Sequence, residues 1–289
     1  MADPGETSAA RRLGSIAGEL AQLPGLRHLA RPVYRRNFRR PFRNVDNSYY
    51  GVYRDYAEAA AAAQALSSQA LPASYDVQAA SRAYRNQLEA IRVSDYPLLY
   101  WLSRLIASGN RNVFDLGGNI GVTYYGFGRY LDYPDELRWQ VHDMPVVMAA
   151  GLQRAAEHDP GRRLSFADAP ERADGADILV TTGALQYLDY TLADLLGRLP
   201  RRPPHVLINL TPVHPSRSYF TLQNLQFAVC PYRVMARPEL LADMQALGYR
   251  LVDEWHSRER SLSVPFEAGY AIDNYSGFCF QREDGNAQA

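Results

Sequence analysis

Residues 113–121 read Val-Phe-Asp-Leu-Gly-Gly-Asn-Ile-Gly: an apolar strand, an acid near its end, a glycine turn and the start of a helix. Glycines let the backbone turn sharply and let a ligand approach it closely. Outward from this stretch the chain alternates short apolar strands with helices, the pattern of a parallel α/β sheet. Candidate strands lie at 113–116, 139–142, 164–166, 178–182 and 206–210, with helices near 119–131, 146–157, 190–199 and 238–247. Gly248 stands where a C-cap glycine belongs. Residues 249–255 and 278–281 read as a sixth and a seventh strand.

Five alternating units ending in two strands predict a Rossmann-like, seven-stranded α/β sheet of the class I methyltransferase type. The glycine loop alone would serve any nucleotide cofactor, so the chemistry of the ligand decides. A dinucleotide site wants GxGxxG, whose amides meet a pyrophosphate. Here the glycines are Gly117, Gly118 and Gly121, so the GxG spacing is missing. Asp115 would repel a pyrophosphate, whereas the ammonium and sulfonium of S-adenosylmethionine (SAM) favour a nearby carboxylate. The second strand ends at Asp143, where an acid commonly holds ribose hydroxyls, and Met144 is placed to cover the adenine. Helix capping is the plain alternative for Asp143. Asp168, after the third strand, is either an acceptor for the adenine amino group or an ordinary turn residue. Gly183, Gln186 and Tyr187 follow the fourth strand, at the carboxyl edge where such sheets bind ligands.

Composition removes several classes of function. All 31 basic side chains are Arg. Without Lys there is no Schiff-base chemistry through a Lys and no P-loop. Cys230 and Cys279 form no spaced metal motif. No apolar stretch approaches the roughly 18–20 residues that span a bilayer, and no secretion signal is visible, so the chain reads as cytoplasmic. Net charge is zero, yet residues 1–45 hold nine Arg against three acids. The Arg-rich run 27–43 would bind phosphate groups or an anionic membrane face, or pack on the acidic remainder. Overall neutrality disfavours nucleic acid as a partner.

The segments VFDLGGNIGVTYYGF, RWQVHDMP, DILVTTGALQYL, LINLTPVHP, FTLQN and CPYRV occur in this order. Over about residues 47–282 the chain resembles a largely uncharacterised bacterial family of SAM-dependent methyltransferases. That family carries a Gly-Gly cofactor loop, Leu-Gln-Tyr-Leu after the fourth strand and Leu-Gln-Asn after the fifth. The HDMP turn also resembles the Asp-Leu-Pro turn of small-molecule O-methyltransferases. The resemblance implies SAM as methyl donor, S-adenosylhomocysteine (SAH) as product, and a ribose role for Asp143. It also implies an acceptor near surface-glycan or small-molecule biosynthesis.

Methyl transfer from a sulfonium is an in-line displacement needing an oriented acceptor and, for a hydroxyl, a proton acceptor. No metal is required. An oxygen acceptor on a small molecule or glycan precursor is the expectation. His214 is the leading candidate for general base, flanked by Pro212 and Pro215, with a structural loop histidine as the alternative. Tyr187 and Gln223 join it as candidate catalytic groups. Asn224, Tyr219 and Arg233 are candidate acceptor contacts, Arg233 for a carboxylate or phosphate. Tyr53, Tyr96 and Trp101 are candidate aromatic walls. Asp95 is a second candidate proton acceptor, and His142 reads as buried in the sheet.

The expected organisation is an Arg-rich extension (1–45), a helical lid and substrate region (46–108), a SAM-binding domain (109–283) and a tail (284–289). The lid is expected to hold two helices over 76–107. A homodimer is left open. Two rival readings are an NAD-linked oxidoreductase or epimerase and a non-catalytic binding module on the same sheet.

Overall fold

The computed structural model describes residues 27–40, 48–82 and 85–283. The expectations for residues 1–26, 41–47 and 284–289 lie outside the described residues. The chain begins with α1 (Arg27–Phe38), β1 (Ser48–Tyr53), α2 (Tyr56–Leu66) and α3 (Tyr96–Ala107). It continues with β2 (Asn112–Leu116), α4 (Val122–Phe127), β3 (Arg138–His142), α5 (Pro145–His158), β4 (Leu164–Phe166), β5 (Ile178–Thr182), α6 (Leu192–Arg198) and β6 (His205–Thr211). Then follow β7 (Val213–His214), β8 (Tyr219–Asn224), β9 (Val229–Ala236), α7 (Arg237–Ala246) and β10 (Tyr249–Ser257). Two short strands, β11 (Leu262–Ser263) and β12 (Ala271–Ile272), precede β13 (Tyr275–Arg282).

Seven of these strands form one sheet in the order β10-β13-β6-β5-β2-β3-β4. Numbered along the chain, that is 6-7-5-4-1-2-3, the class I methyltransferase arrangement. β2 pairs in parallel with β3 and with β5, and β5 with β6, while β13 runs antiparallel to β6 and β10. β2 and β5 are buried nearly throughout because helices cover both faces. One layer of core joins Phe114, Leu179 and Leu196 to Phe278; the other joins Leu102, Leu105 and Tyr124 to Trp139 and Val180. Local chemistry sets the helix ends. Asp55 caps α2 by accepting from Glu58, and Thr191 with Asp194 forms a capping box on α6. Gly248, at φ +83°, ends α7 in the left-handed conformation.

A second sheet, ordered β1-β8-β9-β7, was not expected. β8 and β9 form an antiparallel pair inserted between β6 and α7, and β1 joins β8 from the far end of the chain. The helical reading of 46–108 therefore holds for α2 and α3 but not for 48–53, whose alternating tyrosines are a strand. The helix expected in the first part of 76–107 is also corrected: among the described residues this stretch makes only short 3-10 turns. α2 packs Ala59, Ala63 and Leu66 on Leu222 and Val229 of this sheet, with Phe38 of α1 alongside. The Arg-rich α1 is exposed on its outer side, and Arg31 pairs with Glu267 at 2.8 Å.

The passage from the main sheet to the second runs through Leu210, a buried non-glycine residue at φ +52°. Opposite it the β6–β13 register shifts. A left-handed leucine costs on the order of 1–3 kcal/mol, and such strain gathers at functional sites. Among the described residues no helix is long and apolar enough to cross a membrane, and no group of three or more His, Cys, Asp or Glu is poised to hold a metal ion.

Candidate functional site

Between β2 and β5 the strand order reverses: β3 and β4 lie to one side, β6 to the other. Such a switch point leaves a crevice at the carboxyl ends of the strands. Here it opens into a cavity of about 810 Å³, within the usual size for a small-molecule site. Its floor is the loops after β2, β3 and β5. Its roof is β8, β9 and the residues between α2 and α3.

The floor is built from backbone geometry. Gly117 sits at φ +75°, and a Cβ there would lie 2.2 Å from Cβ of Ala184, so the two loops touch across the switch point. A Cβ on Gly118 would lie 2.5 Å from Cγ of Asp115. Gly121, at φ +89°, enters α4 against Leu164. Gly117 and Gly118 line the cavity, as do Asp143, Met144, Gly183, Gln186 and Tyr187. Asp143 is pinned by two backbone amides, Asn119 N at 2.8 Å and Met144 N at 2.7 Å. Burial pushes its carboxyl above the ordinary range, and the two amides pull the other way. Gln186 is buried, and its Oε1 has no partner among the described residues.

Asp115 is placed differently from expectation. Its side chain is fully buried under Gly118 and does not line the cavity. Trp139 Nε1 donates to it at 3.2 Å. Burial raises its pKa to about 7, with the Trp139 bond opposing and Asp143 adding to the rise. Asp115 thus shapes the loop from beneath instead of facing a ligand. Asp168 is exposed, paired with Arg172 at 3.2 Å, and stands outside the cavity wall. His142, read from sequence as buried, lines the cavity, and its Nδ1 donates to the carbonyl of Ala167 at 2.9 Å.

The roof gathers side chains from distant segments. Tyr187 donates its hydroxyl to Gln223 Oε1 at 2.5 Å, and Gln223 Nε2 donates to Tyr49 at 3.3 Å. Tyr49 and Tyr232 each hydrogen-bond the hydroxyl of Tyr275, at 2.9 and 2.8 Å. Tyr75 stacks on Tyr187, whose ring meets Tyr232 edge-on. Burial holds the Tyr232 and Tyr275 hydroxyls far above the usual phenol range, and pushes the Cys230 thiol to about 12. These groups are therefore protonated at neutral pH.

Several expected acceptor contacts lie elsewhere. His214 does not line the cavity: its Nδ1 accepts the amides of Ser216 and Arg217, both at 3.1 Å, so it organises a turn. Asn224 is buried and donates to the carbonyl of Phe38, tying α1 to β8. Tyr219 donates to the carbonyl of Tyr270. Arg233 packs over Phe220 and bonds the Leu188 carbonyl. Trp101 is spent on Asp253 at 2.8 Å, Tyr96 is exposed, and Tyr53 packs with the α2 cluster. Asp95 is held by Arg92 and Asn209 below the main cavity. In their place Tyr56, Tyr75, Phe227, Tyr232, Arg260 and Tyr275 face the cavity. None of these carries a local sequence signal. The second sheet, β13 and the turns around them bring this wall together from distant parts of the chain.

No family model matches the chain, and no curated protein matches it. Solved structures do. The 1,6-didemethyltoxoflavin-N1-methyltransferase of Burkholderia thailandensis is 20% identical over 72% of this chain and 82% of its own, with a TM-score of 0.42. Magnesium protoporphyrin IX methyltransferase from Synechocystis is 12% identical over 72% of this chain and 96% of its own, with a TM-score of 0.46. A glycopeptide N-methyltransferase is 12% identical over 68% of this chain and 97% of its own, with a TM-score of 0.46. At these values the likeness assigns neither activity nor acceptor to this chain.

Proposed function

We propose that the chain is a SAM-dependent methyltransferase that methylates a small molecule, at oxygen. The observation that carries this reading is the floor of the switch-point cavity. Two glycines that tolerate no Cβ bring backbone close to the ligand, and Asp143 stands at the tip of β3 with its carboxylate fixed by two amides. That acid suits two ribose hydroxyls. The unpartnered Gln186 Oε1 suits an ammonium. A diphosphate finds a poorer match. Asp143 lies beside the loop, where its carboxylate would repel a diphosphate.

When bound, SAM supplies a methyl group on a positively charged sulfur. The protein's part is to hold the acceptor in line with it and to exclude water. Gly183 and Tyr187 stand between the floor and the roof, where acceptor and cofactor must meet. The Tyr187–Gln223–Tyr49–Tyr275–Tyr232 chain fixes the roof side chains so that they do not rearrange on binding. An aromatic or sugar ring packs against the wall that Tyr75, Tyr187 and Phe227 form together.

Isothermal titration with SAH tests this reading. One equivalent of SAH is expected to bind, and Asp143→Ala is expected to weaken binding strongly. A protein that binds NAD and ignores SAH would overturn it.

A further inference from the structure

We propose that the acceptor is a carboxylic acid in its ionised form, recognised by Arg260, and that a carboxylate oxygen takes the methyl group. This deepens the methyltransferase reading and rests on it.

Arg260 lies in the turn between β10 and β11 and lines the roof of the cavity. Among the described residues its guanidinium has no hydrogen bond and no ion pair. The other arginine on the wall, Arg92, is held by Asp95 through two bonds of 2.9 and 3.0 Å. The neighbouring acid, Glu259, accepts the Ser94 amide instead. Arg260 is close enough to Tyr49 and Tyr275 for its charge to act on both hydroxyls. Such a part-exposed, unpaired guanidinium is free to meet the counter-charge of a ligand entering the cavity.

The hydroxyls beside it are donor-rich. Tyr49, Tyr232 and Tyr275 have three hydroxyl hydrogens, and the two bonds among them use two. Gln223 Oε1 accepts from Tyr187, and Gln223 presents its Nε2 donor to Tyr49. A guanidinium with a surplus hydroxyl donor calls for a group that only accepts. A carboxylate is such a group, and its charge matches a single guanidinium, whereas a phosphate dianion would need a second cation.

The roof also lacks a base. Among the described residues lining the cavity, the one carboxylate is Asp143 and the one histidine is His142, both at the tip of β3 in the floor. Burial keeps Tyr232, Tyr275 and Cys230 protonated. An alcohol acceptor would need its proton removed, but a carboxylate arrives already ionised. Its oxygen forms a bond to the methyl carbon as the carbon–sulfur bond breaks. The bonding pair stays on sulfur and cancels its positive charge. The product is a methyl ester, and no proton moves.

The test uses the full chain saturated with SAH. Matched probes, such as 3-phenylpropionate and 3-phenylpropanamide, are compared by saturation-transfer NMR across a panel of aryl and alkyl acid–amide pairs. Acids are expected to bind and their amides not to. Arg260→Gln should abolish acid binding, and Arg260→Lys should restore part of it, with SAH affinity within twofold of wild type. With labelled SAM and the acids that bind, the product label should be released as methanol by mild alkali. Equal binding of acids and amides, no acid binding at all, undiminished binding in R260Q, or an alkali-stable product would overturn the proposal. If R260Q fails to fold, the acid–amide comparison on the wild type still decides. Loss of SAH binding by the wild type would instead sink the methyltransferase reading.

Discussion

The floor and the roof of the cavity are made in opposite ways. The floor is local: Gly117, Gly118, Asp143 and Gly183 each follow a strand of the parallel sheet, and backbone geometry does most of the work. The roof is assembled: Tyr49 comes from β1, Gln223 from β8, Tyr232 from β9 and Tyr275 from β13, meeting through hydroxyl and amide bonds. Substitutions in the floor should strike cofactor binding, and substitutions in the roof should strike stability and acceptor binding while sparing the cofactor.

The largest effect is expected at Gly117. A side chain there meets Ala184 at 2.2 Å in a left-handed backbone. Gly117→Val should weaken SAH by 100-fold or more, since about 1.4 kcal/mol is each factor of ten, read by isothermal titration. Undiminished affinity would separate the glycine loop from the cofactor. Next is Asp143→Ala, which leaves two amides without their acceptor. The stranded donors lower stability, while the lost ribose contact, at about 1.5–3 kcal/mol for a hydrogen bond to a charged group, predicts a loss of roughly 10-fold or more in SAH affinity, with Asp143→Asn intermediate.

In the roof, Tyr275→Phe removes the hydroxyl that joins Tyr49 to Tyr232. It should cost about 1–3 kcal/mol in urea unfolding and leave SAH affinity unchanged. A matching fall in SAH affinity would break the division between the two halves.

How much of this was legible beforehand follows the same division. The strands of the main sheet read correctly because each is a short apolar run bounded by turn residues, and the glycines announced their loop. Asp115 and Asp143 look alike in sequence, each an acid at a strand tip. Only the folded loop sets them apart: one faces the cavity and the other lies beneath Gly118. β1, β8 and β9 were missed because their tyrosines and polar residues read equally well as loop or helix flank. Strand pairing across about 170 residues leaves no periodic trace in either partner. His214 attracted attention by its chemistry and its prolines, yet its imidazole caps a turn. His214→Ala should therefore cost about 1 kcal/mol, as for the loss of a cap, and leave SAH affinity and methyl transfer intact. That is the smallest of the mutational effects expected here.

Asp115 offers a pH signature between those extremes. Its folded pKa of about 7 lies above the ordinary 3.8. The native state keeps a proton that the unfolded chain releases, so stability is fullest below 3.8 and falls as pH rises toward 7. At about 1.4 kcal/mol for each unit of pKa, the loss is at most about 4 kcal/mol. Asp115→Asn removes this titration. Its melting temperature should vary less between pH 5 and pH 8 than that of the wild type (buffer values, chosen on the order of the titration window). Parallel pH profiles would show that the carboxyl is ionised throughout.

The most direct measurement is a calorimetric titration of the wild-type chain with SAH and, separately, with NAD. Saturable binding of SAH at one equivalent, lost in Gly117→Val and untouched in Tyr275→Phe, is the expected result. Binding of NAD in preference to SAH, or heat from neither, would contradict a cofactor floor at the switch point.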